Sequence, residues 1–118
     1  MKTELNIYYD EEGDFLEINI GGYTESYFKE IDFYVAERID EKTKEKTGIA
    51  IISFKELIKK NKNHLNSEVM SLYYDDKKDY LEIKIGEVKI PITNFTKKTE
   101  NFTELQLPIE IDCFPKIH

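Results

Sequence analysis

Apolar and polar residues alternate along two stretches of the chain, residues 5–20 and residues 70–85. Each stretch holds two alternating segments separated by a short run of polar residues. Alternation with a period of two is typical of a strand with one buried face, so each stretch predicts an antiparallel β-hairpin. The predicted buried positions are Leu5, Ile7, Tyr9, Leu16, Ile18 and Ile20 in the first hairpin and Met70, Leu72, Tyr74, Leu81, Ile83 and Ile85 in the second.

The two hairpins are copies of one unit. Residues 8–21 recur as residues 73–86 with nine of fourteen positions identical, and a match at a fixed offset indicates an internal repeat. A half-chain of about 60 residues buries only about 60% of its unfolded surface, so we expect the halves to share one core. The predicted organisation is a single domain over residues 1–118, with a first repeat at 1–60, a linker at 61–67 and a second, diverged repeat at 68–118.

Further elements lie between and beyond the hairpins. Phe33–Asp40 alternates, and Gly48–Ile52 is largely apolar on both faces, so we predict two more strands, the second of them in the middle of a sheet or under a helix. Ser53 lies three residues before Glu56, which is a capping-box pattern, and it predicts a short helix over residues 54–60. The predicted fold class is mainly β (α+β): two related antiparallel β-meanders that share one core, with one short helix.

The remaining segments have weaker patterns. Tyr23–Ile31 predicts an aromatic connection with a short turn of helix, and Glu41–Gly48 predicts either a long charged hairpin tip or a contact loop for a charged partner. Pro91 and Pro108 cannot donate a ladder hydrogen bond, so Pro91 predicts an edge strand or a bulge and Pro108 predicts an edge strand. No segment of the second half matches the helix at residues 54–60, and we expect that element to be missing there.

Charge narrows the classes of partner. The chain has 24 acidic and 17 basic residues, a net charge of −7, and Arg38 is its only arginine. Since nucleic-acid phosphates require Lys and Arg, direct contact with nucleic acid is not predicted. An acidic surface is either simply solvated or attracts a basic protein. No apolar run approaches the roughly 20 residues that span a bilayer, so no membrane partner is predicted.

Cysteine usage bears on the compartment. Cys113 is the single cysteine, so no internal disulfide is predicted. The first residues lack the basic, apolar and small-residue pattern of a signal peptide, and together these features predict a cytoplasmic location. Cys113 precedes Phe114 and Pro115 and has no basic neighbour before Lys116, so it is interpreted as a small apolar filler rather than a nucleophile.

The turn of the first hairpin is the densest cluster of candidate ligands. Residues 10–14 contain four carboxylates and Gly13, and carboxylate oxygens suit Ca²⁺ or Mg²⁺. The second copy has Lys77 and Lys78 at two of these positions, which would repel a cation. Asp10 and Asp14 recur in both copies, and we interpret them as residues that hydrogen-bond within the turn. No metal ion or cofactor is predicted.

Tyrosines and one carboxylate on the outward strand faces are candidates for contact with a partner. Outward tyrosine offers a large contact area at low entropic cost, although ordinary cross-strand packing explains it equally well. Glu17 recurs as Glu82, and a pair of this kind serves either acid–base chemistry or a solvated face. The predicted interaction surface consists of Tyr8, Asp10, Asp14, Glu17, Arg38 and Tyr73.

The first hairpin and the strand that follows carry a resemblance. Tyr9, Asp10, Asp14, Leu16 and Ile18 form the pattern Tyr-Asp-x-x-x-Asp-x-Leu-x-Ile, and residues 48–51 form Gly-Ile-x-Ile. This pattern resembles a short prokaryotic domain of unknown function, over about residues 5–60 with a partial second match at 70–86. The resemblance implies a small, mostly β fold without established catalytic residues. Some members of that family are proposed antitoxins encoded beside a toxin.

These observations lead to a functional prediction. The protein is expected to be a non-enzymatic protein–protein interaction module, antitoxin-like, with a basic toxin as a candidate partner. The alternative is a module that binds a small ligand or a divalent cation at the acidic turn. A member with a single unit could dimerise, and in this chain the second copy could supply that surface. Homodimerisation of the whole chain stays open.

Overall fold

The fold of this chain is mainly β, as predicted, and it is built from two antiparallel sheets. The computed structural model describes residues 2–21, 24–100 and 104–110. Cys113, with its predicted packing role, lies outside the described residues. The strands are β1 (Lys2–Asp10), β2 (Phe15–Ile20), β3 (Ser26–Glu30), β4 (Val35–Asp40), β5 (Lys46–Ile52), β6 (His64–Asn66), β7 (Ser71–Asp75), β8 (Tyr80–Ile85), β9 (Val88–Ile92) and β10 (Leu105–Glu110), and the helices are α1 (Phe54–Lys60) and α2 (Phe95–Lys98).

The predicted hairpins are β1–β2 and β7–β8, and they have the same register. Ile7 lies opposite Ile18 in the first hairpin, and Leu72 lies opposite Ile83 in the second. Because a slip of one residue would move every apolar side chain to the other face, an identical register keeps both sets of apolar residues in the core. The internal repeat is thus confirmed as a repeat of structure.

The repeat extends further than the sequence indicated. In the six-stranded sheet, whose order is β10-β1-β2-β5-β4-β3, strand β5 pairs with β2 and places Ile49 opposite Ile18. In the four-stranded sheet, whose order is β6-β7-β8-β9, strand β9 pairs with β8 and places Ile90 opposite Ile83. Strand β9 is therefore the counterpart of β5. The β3–β4 hairpin is an insertion of the first repeat, and a tight turn at Gly86 (φ +58°) takes its place in the second.

Helix α2 is the counterpart of α1, which corrects the prediction that the second half lacks this element. Each helix follows the matched strand of its repeat, β5 or β9, and each begins with a fully buried phenylalanine, Phe54 or Phe95. The residue before each helix, Ser53 or Asn94, has a left-handed backbone with φ of 57° or 52°. The second helix was missed because its four residues are too few to repeat an apolar face.

The repeats exchange their last strands. After α1 the chain forms β6, which pairs with β7 of the second repeat, and after α2 it forms β10, which pairs with β1 of the first repeat. Residues 61–67, predicted to be a linker, therefore contain a strand, which spans only three residues and shows no alternation that could be read. This exchange ties the repeats together by backbone hydrogen bonds as well as by the core.

Four aromatic rings join the two repeats at the centre of one shared core. Within each repeat the tyrosine and phenylalanine rings meet edge to face, at 5.9 Å for Tyr9 and Phe54 and at 6.0 Å for Tyr74 and Phe95. Between the repeats Tyr9 lies 5.2 Å from Phe95, and Tyr74 lies 5.4 Å from Phe54. The four rings therefore follow an approximate two-fold symmetry, as expected for two copies that bury their apolar faces together.

Several element predictions require correction. Residues 26–30 form the edge strand β3 rather than a turn of helix, and β4 begins at Val35 rather than at Phe33. The predicted charged hairpin tip is shorter than residues 41–48, because β5 begins at Lys46, whose buried ammonium is neutralised by glutamates.

Other predictions about the strands are confirmed. Strand β5 lies inside its sheet, between β2 and β4, as its apolar residues predicted. Strands β9 and β10, which carry Pro91 and Pro108, both lie at sheet edges.

Candidate functional site

Each hairpin turn ends in an aspartate that is present in both copies of the repeat, and this aspartate, Asp14 or Asp79, caps a helix. Both carboxylate oxygens of Asp14 accept a hydrogen bond from the Lys55 backbone N–H at 3.1 Å, and Oδ1 also accepts the Tyr9 hydroxyl at 2.6 Å. In the second repeat Asp79 accepts the Thr96 backbone N–H at 3.1 and 3.0 Å and the Tyr74 hydroxyl at 2.9 Å. Asp14 is thus part of the folded scaffold, and its role in an interaction surface stays a prediction.

This arrangement replaces the predicted capping box. Ser53 makes no side-chain hydrogen bond at the start of α1, because the carboxylate of Asp14 already occupies that place. Asp14 and Asp79 reach the helices from a left-handed backbone, with φ of 53° and 51°, so the turn needs its unusual conformation at the aspartate rather than at Gly13. Aspartate is among the few residues that tolerate this region.

Burial and hydrogen bonding shift the pKa values of Tyr9, Tyr74 and Asp79 in these helix caps. Burial raises the pKa of Tyr9, and its hydrogen bond to Asp14 raises that pKa further. Burial and the hydrogen bond to Asp79 likewise raise the pKa of Tyr74. For Asp79, burial opposes ionisation, but the hydrogen bonds from the Thr96 side chain and backbone outweigh it and lower the pKa of Asp79. Both tyrosines therefore act as hydrogen-bond donors to a carboxylate.

The first conserved aspartate serves the turn, as predicted. Asp10 Oδ1 accepts the Gly13 backbone N–H at 3.2 Å, and Asp75 Oδ1 accepts the N–H groups of Lys77 and Lys78 at 3.0 and 3.2 Å. The described residues contain no group of three or more histidine, cysteine, aspartate or glutamate side chains placed to hold a metal ion. Cation binding at this turn stays a prediction that no contact of the described residues supports.

Three of the predicted surface residues, Tyr8, Glu17 and Arg38, come together on the outer face of the six-stranded sheet. They line a groove of about 460 Å³, which adjoins a second groove of about 350 Å³. The two share Asn19, Arg38 and Glu104, and we name them together the outer-face groove. Its other lining residues are Ser26 and Phe28 on one side and Glu4, Asn6, Gly21 and Gln106 on the other.

Strand register builds this groove. One row of residues crosses the sheet on its outer face, because each residue of the row lies opposite the next one in the neighbouring strand. In order from β10 to β3 the row is Gln106, Asn6, Asn19, Gly48, Arg38 and Phe28. Tyr8 and Glu17 lie opposite each other in the adjacent row on the same outer face, two residues along each strand from Asn6 and Asn19.

Gly48 is required by the backbone and side-chain atoms of β2 that lie against it. A Cβ atom added at Gly48 would lie 2.4 Å from the Ile18 carbonyl oxygen and 2.6 Å from Asn19 Oδ1. No side chain can be accommodated at such distances while the strands stay paired. The glycine of the Gly-Ile-x-Ile pattern therefore makes room for Asn19 beside Arg38 in the row.

The two asparagines of the row have oxygen atoms without donors. Asn6 Nδ2 donates to the Gly21 carbonyl at 2.8 Å, and Asn19 Nδ2 donates to Glu17 Oε1 at 3.3 Å. These bonds fix the amide orientations, and both Oδ1 atoms are then buried with no hydrogen-bond partner among the described residues. An unsatisfied buried acceptor costs about 1–3 kcal/mol. Since each Oδ1 atom has almost no exposed surface, both acceptors lie beneath the groove rather than open to a bound group.

Charge in the groove is predominantly negative. Glu4, Glu17 and Glu104 line it, and Arg38 is the one cation among its described lining residues. Arg38 is only 3% exposed and donates from Nη2 to the Thr24 carbonyl at 2.9 Å. Because acceptors and carboxylates outnumber donors, the groove can take a donor-rich cation such as a guanidinium or an ammonium group.

Tyr73, the repeat counterpart of Tyr8, lies on the other sheet and does not join the groove. Its ring packs 5.0 Å from His64 and 6.3 Å from Tyr80, and it lies opposite Glu82. Tyr80 donates its hydroxyl to Glu82 at 2.8 Å, and this bond raises the pKa of Tyr80. Lys84 has the position that Asn19 has in the first repeat, so this second face lacks the asparagine row.

An ion pair under the β3–β4 hairpin was not predicted. Lys46 Nζ lies 2.7 Å from Glu37 Oε1, with both side chains less than a tenth exposed, and it also pairs with Glu68. Burial lowers the pKa of Lys46, but the hydrogen bonds to Glu37 and Glu68 outweigh it and raise that pKa overall. The bond to Lys46 lowers the pKa of Glu68. Lys46 and Glu68 are 22 positions apart, and no local sequence pattern indicates that they form an ion pair.

Sequence reasoning also missed Asn6, Asn19 and Glu104, which complete the groove. The signal for the asparagines was their outward position in the alternating pattern, but the sequence does not show which strands lie on either side of them.

Comparison with family models, with curated proteins and with solved structures finds no match for this chain. The resemblance to the domain of unknown function stays a prediction. No helix among the described residues is long and apolar enough to cross a membrane.

Proposed function

We propose that this protein is a non-enzymatic interaction module that binds a basic segment of a partner protein in the outer-face groove. One observation carries the proposal: three carboxylates, those of Glu4, Glu17 and Glu104, line the groove, and Arg38 is the one cation among its described lining residues. A basic side chain of the partner supplies the opposite charge and hydrogen-bond donors for these carboxylates.

Arginine fits the groove better than lysine. A guanidinium has five N–H donors in a planar fork, so it can bind one carboxylate through two parallel hydrogen bonds. Tyr8 lies opposite Glu17 and offers a ring face for stacking a guanidinium.

The partner class is a basic protein, and a basic toxin is the candidate that the resemblance to antitoxin-like domains suggests. The net charge of −7 favours encounter with such a partner at low ionic strength. We place this encounter in the cytoplasm because Cys113 is the only cysteine. A basic reading frame encoded beside this gene would support the antitoxin-like assignment.

The test uses the repeat itself as a control. Titration of the protein with an arginine-rich peptide, followed by NMR and calorimetry, should shift the amide signals of Asn6 and Asn19 and give heat that decreases with salt. The double variant Glu17→Gln, Glu104→Gln should weaken peptide binding at least about tenfold, because charge-assisted hydrogen bonds are lost. Glu82→Gln changes the equivalent residue of the other sheet and should leave binding unchanged.

Three results would contradict the proposal. The double variant could bind the peptide as tightly as the wild type, or the shifted signals could cluster around Tyr73 and Glu82 instead of the groove. A matched peptide in which glutamine replaces arginine checks for charge: equal affinity for both peptides would remove the basic side chain as the bound group.

A further inference from the structure

The two sheets have four edge strands among the described residues, and three of them are blocked against further pairing. Strand β9 contains Pro91 and β10 contains Pro108, and proline cannot donate to a new ladder. Strand β6 has only three residues. Strand β3 (Ser26–Glu30) has five residues and no proline. Natural proteins usually protect their edges, so the edge of β3, which carries the charged residues Lys29 and Glu30 but no proline, requires an explanation.

Exposed apolar surface concentrates around the same strand. Five large apolar residues are exposed among the described residues, and four of them lie between positions 27 and 33. Phe28 is 51% exposed and Phe33 is 84% exposed, while Tyr27 and Ile31 are 41% and 49% exposed. This cluster belongs to the β3–β4 insertion, which the second repeat lacks. Exposed aromatic and aliphatic groups next to an open edge are typical of an association surface.

The outward backbone groups of β3 can be assigned. The Ile31 N–H donates to the Val35 carbonyl, and the Glu25 carbonyl accepts from the Glu41 N–H, so odd-numbered residues bond to β4. Hydrogen-bonded residues alternate along an antiparallel strand. The N–H and C=O groups of Ser26, Phe28 and Glu30 therefore point away from β4, toward the open edge.

We propose that β3 pairs antiparallel with β3 of a second copy of this chain, about a two-fold axis at Phe28. In this register Phe28 lies opposite Phe28 of the second copy, Ser26 lies opposite Glu30, and Tyr27 lies opposite Lys29. All three outward residues then form hydrogen-bonded pairs, and the side chains that face each other suit each other: ring on ring, hydroxyl on carboxylate and cation on ring.

The symmetric register with its axis at Lys29 is disfavoured, because two ammonium groups would lie directly opposite each other. Pairing at Phe28 joins the two six-stranded sheets into one continuous sheet. Since Phe28 lines the outer-face groove, the grooves of the two copies then adjoin on one face. The dimer does not depend on what the groove binds.

Proline at position 28 tests the pairing. Phe28→Pro deletes the outward N–H without touching a bond to β4, so the monomer fold, followed by circular dichroism, should persist. Sedimentation equilibrium of the wild type should give a monomer–dimer equilibrium, and Phe28→Pro should raise its dissociation constant at least about tenfold. The control Phe28→Val keeps the N–H and a residue suited to a strand. A monomeric wild type, or a dimer that Phe28→Pro leaves unchanged, would overturn the proposal.

Disulfide trapping tests the register independently. Tyr27 and Lys29 of the second copy form a non-hydrogen-bonded pair, whose Cα atoms lie about 4.5 Å apart, within the range that a disulfide spans. In a Cys113→Ser background, a mixture of the Tyr27→Cys and Lys29→Cys variants should form a disulfide-linked heterodimer faster than either variant links to itself. Equal rates in the mixture and in the separate samples would refute this register.

Discussion

Replacing Asp14 with alanine removes two contacts that hold the first repeat together. The Lys55 N–H at the start of α1 loses its acceptor, and the Tyr9 hydroxyl loses the carboxylate oxygen that accepts its hydrogen bond at 2.6 Å. Loss of a helix cap costs about 1 kcal/mol, with a range of about 0.5–2. An orphaned buried hydroxyl costs about 1–3 kcal/mol more, and Tyr9 is fully buried. We therefore expect Asp14→Ala to lower the free energy of unfolding by about 2–4 kcal/mol.

A double-mutant cycle separates the two contributions. Tyr9→Phe removes the hydroxyl but leaves the cap, so it should cost only about 1 kcal/mol. In the double variant Tyr9→Phe, Asp14→Ala no hydroxyl remains to be orphaned. The combined cost should then fall below the sum of the single costs by about 1–2 kcal/mol. Urea unfolding followed by circular dichroism measures all three values.

Two control variants complete this experiment. Asp79→Ala makes the same change in the second repeat, and it should also destabilise the protein because Tyr74 and Thr96 lose their acceptor. Asp76→Ala changes an exposed turn residue and should stay within about 0.5 kcal/mol of the wild type. If the costs of Tyr9→Phe and Asp14→Ala simply add, the tyrosine and the aspartate do not act as one cap, and this account of the repeat is wrong.

Three further predictions concern the sheet, the ion pair and pH. Gly48→Ala should cost about 2–4 kcal/mol, because its Cβ would meet the Ile18 carbonyl at 2.4 Å; thermal unfolding checks this, and an unchanged Tm would contradict it. Lys46→Met should cost about 3 kcal/mol by leaving Glu37 buried without its cation, and adding Glu37→Leu should restore much of the loss; urea unfolding of both variants would refute this if the second change gave no recovery. Asp79 has a lowered pKa when folded, so its stabilising contribution is complete above about pH 4–5, the range of an unfolded carboxyl, and is lost as the pH falls through the folded pKa. The Tm of Asp79→Asn should therefore depend less steeply on pH between about 5 and 2 than that of the wild type, and equal slopes would contradict this.

The sequence predicted the strands in which apolar and polar residues alternate. It did not predict contacts between residues that lie far apart along the chain. The hairpins at residues 5–20 and 70–85 were predicted with their buried faces, because period-two alternation is a local signal. Helix α1 was predicted with its bounds but for the wrong reason, since its cap comes from Asp14, 41 positions before Lys55. No pattern around Ser53 could show that.

The candidate site divides in the same way. Tyr8, Glu17 and Arg38 were named from their types and outward positions, and they do meet in one groove. Asp10, Asp14 and Tyr73 were named with them but lie elsewhere, because the turn, the helix cap and the second sheet hold them. A shared residue type says nothing about which strands become neighbours.

By itself the sequence determined that an ancestral unit was doubled and that both copies bury the same face, because the alternation of apolar and polar residues in each strand indicates which face is buried. Only the tertiary structure decided which strand pairs with which: β6 and β10 cross to the opposite repeat, and Gly48 opens the row to Asn19. The physical reason is that pairing and capping join groups that lie far apart along the chain, and their free energy appears only once both partners are in place.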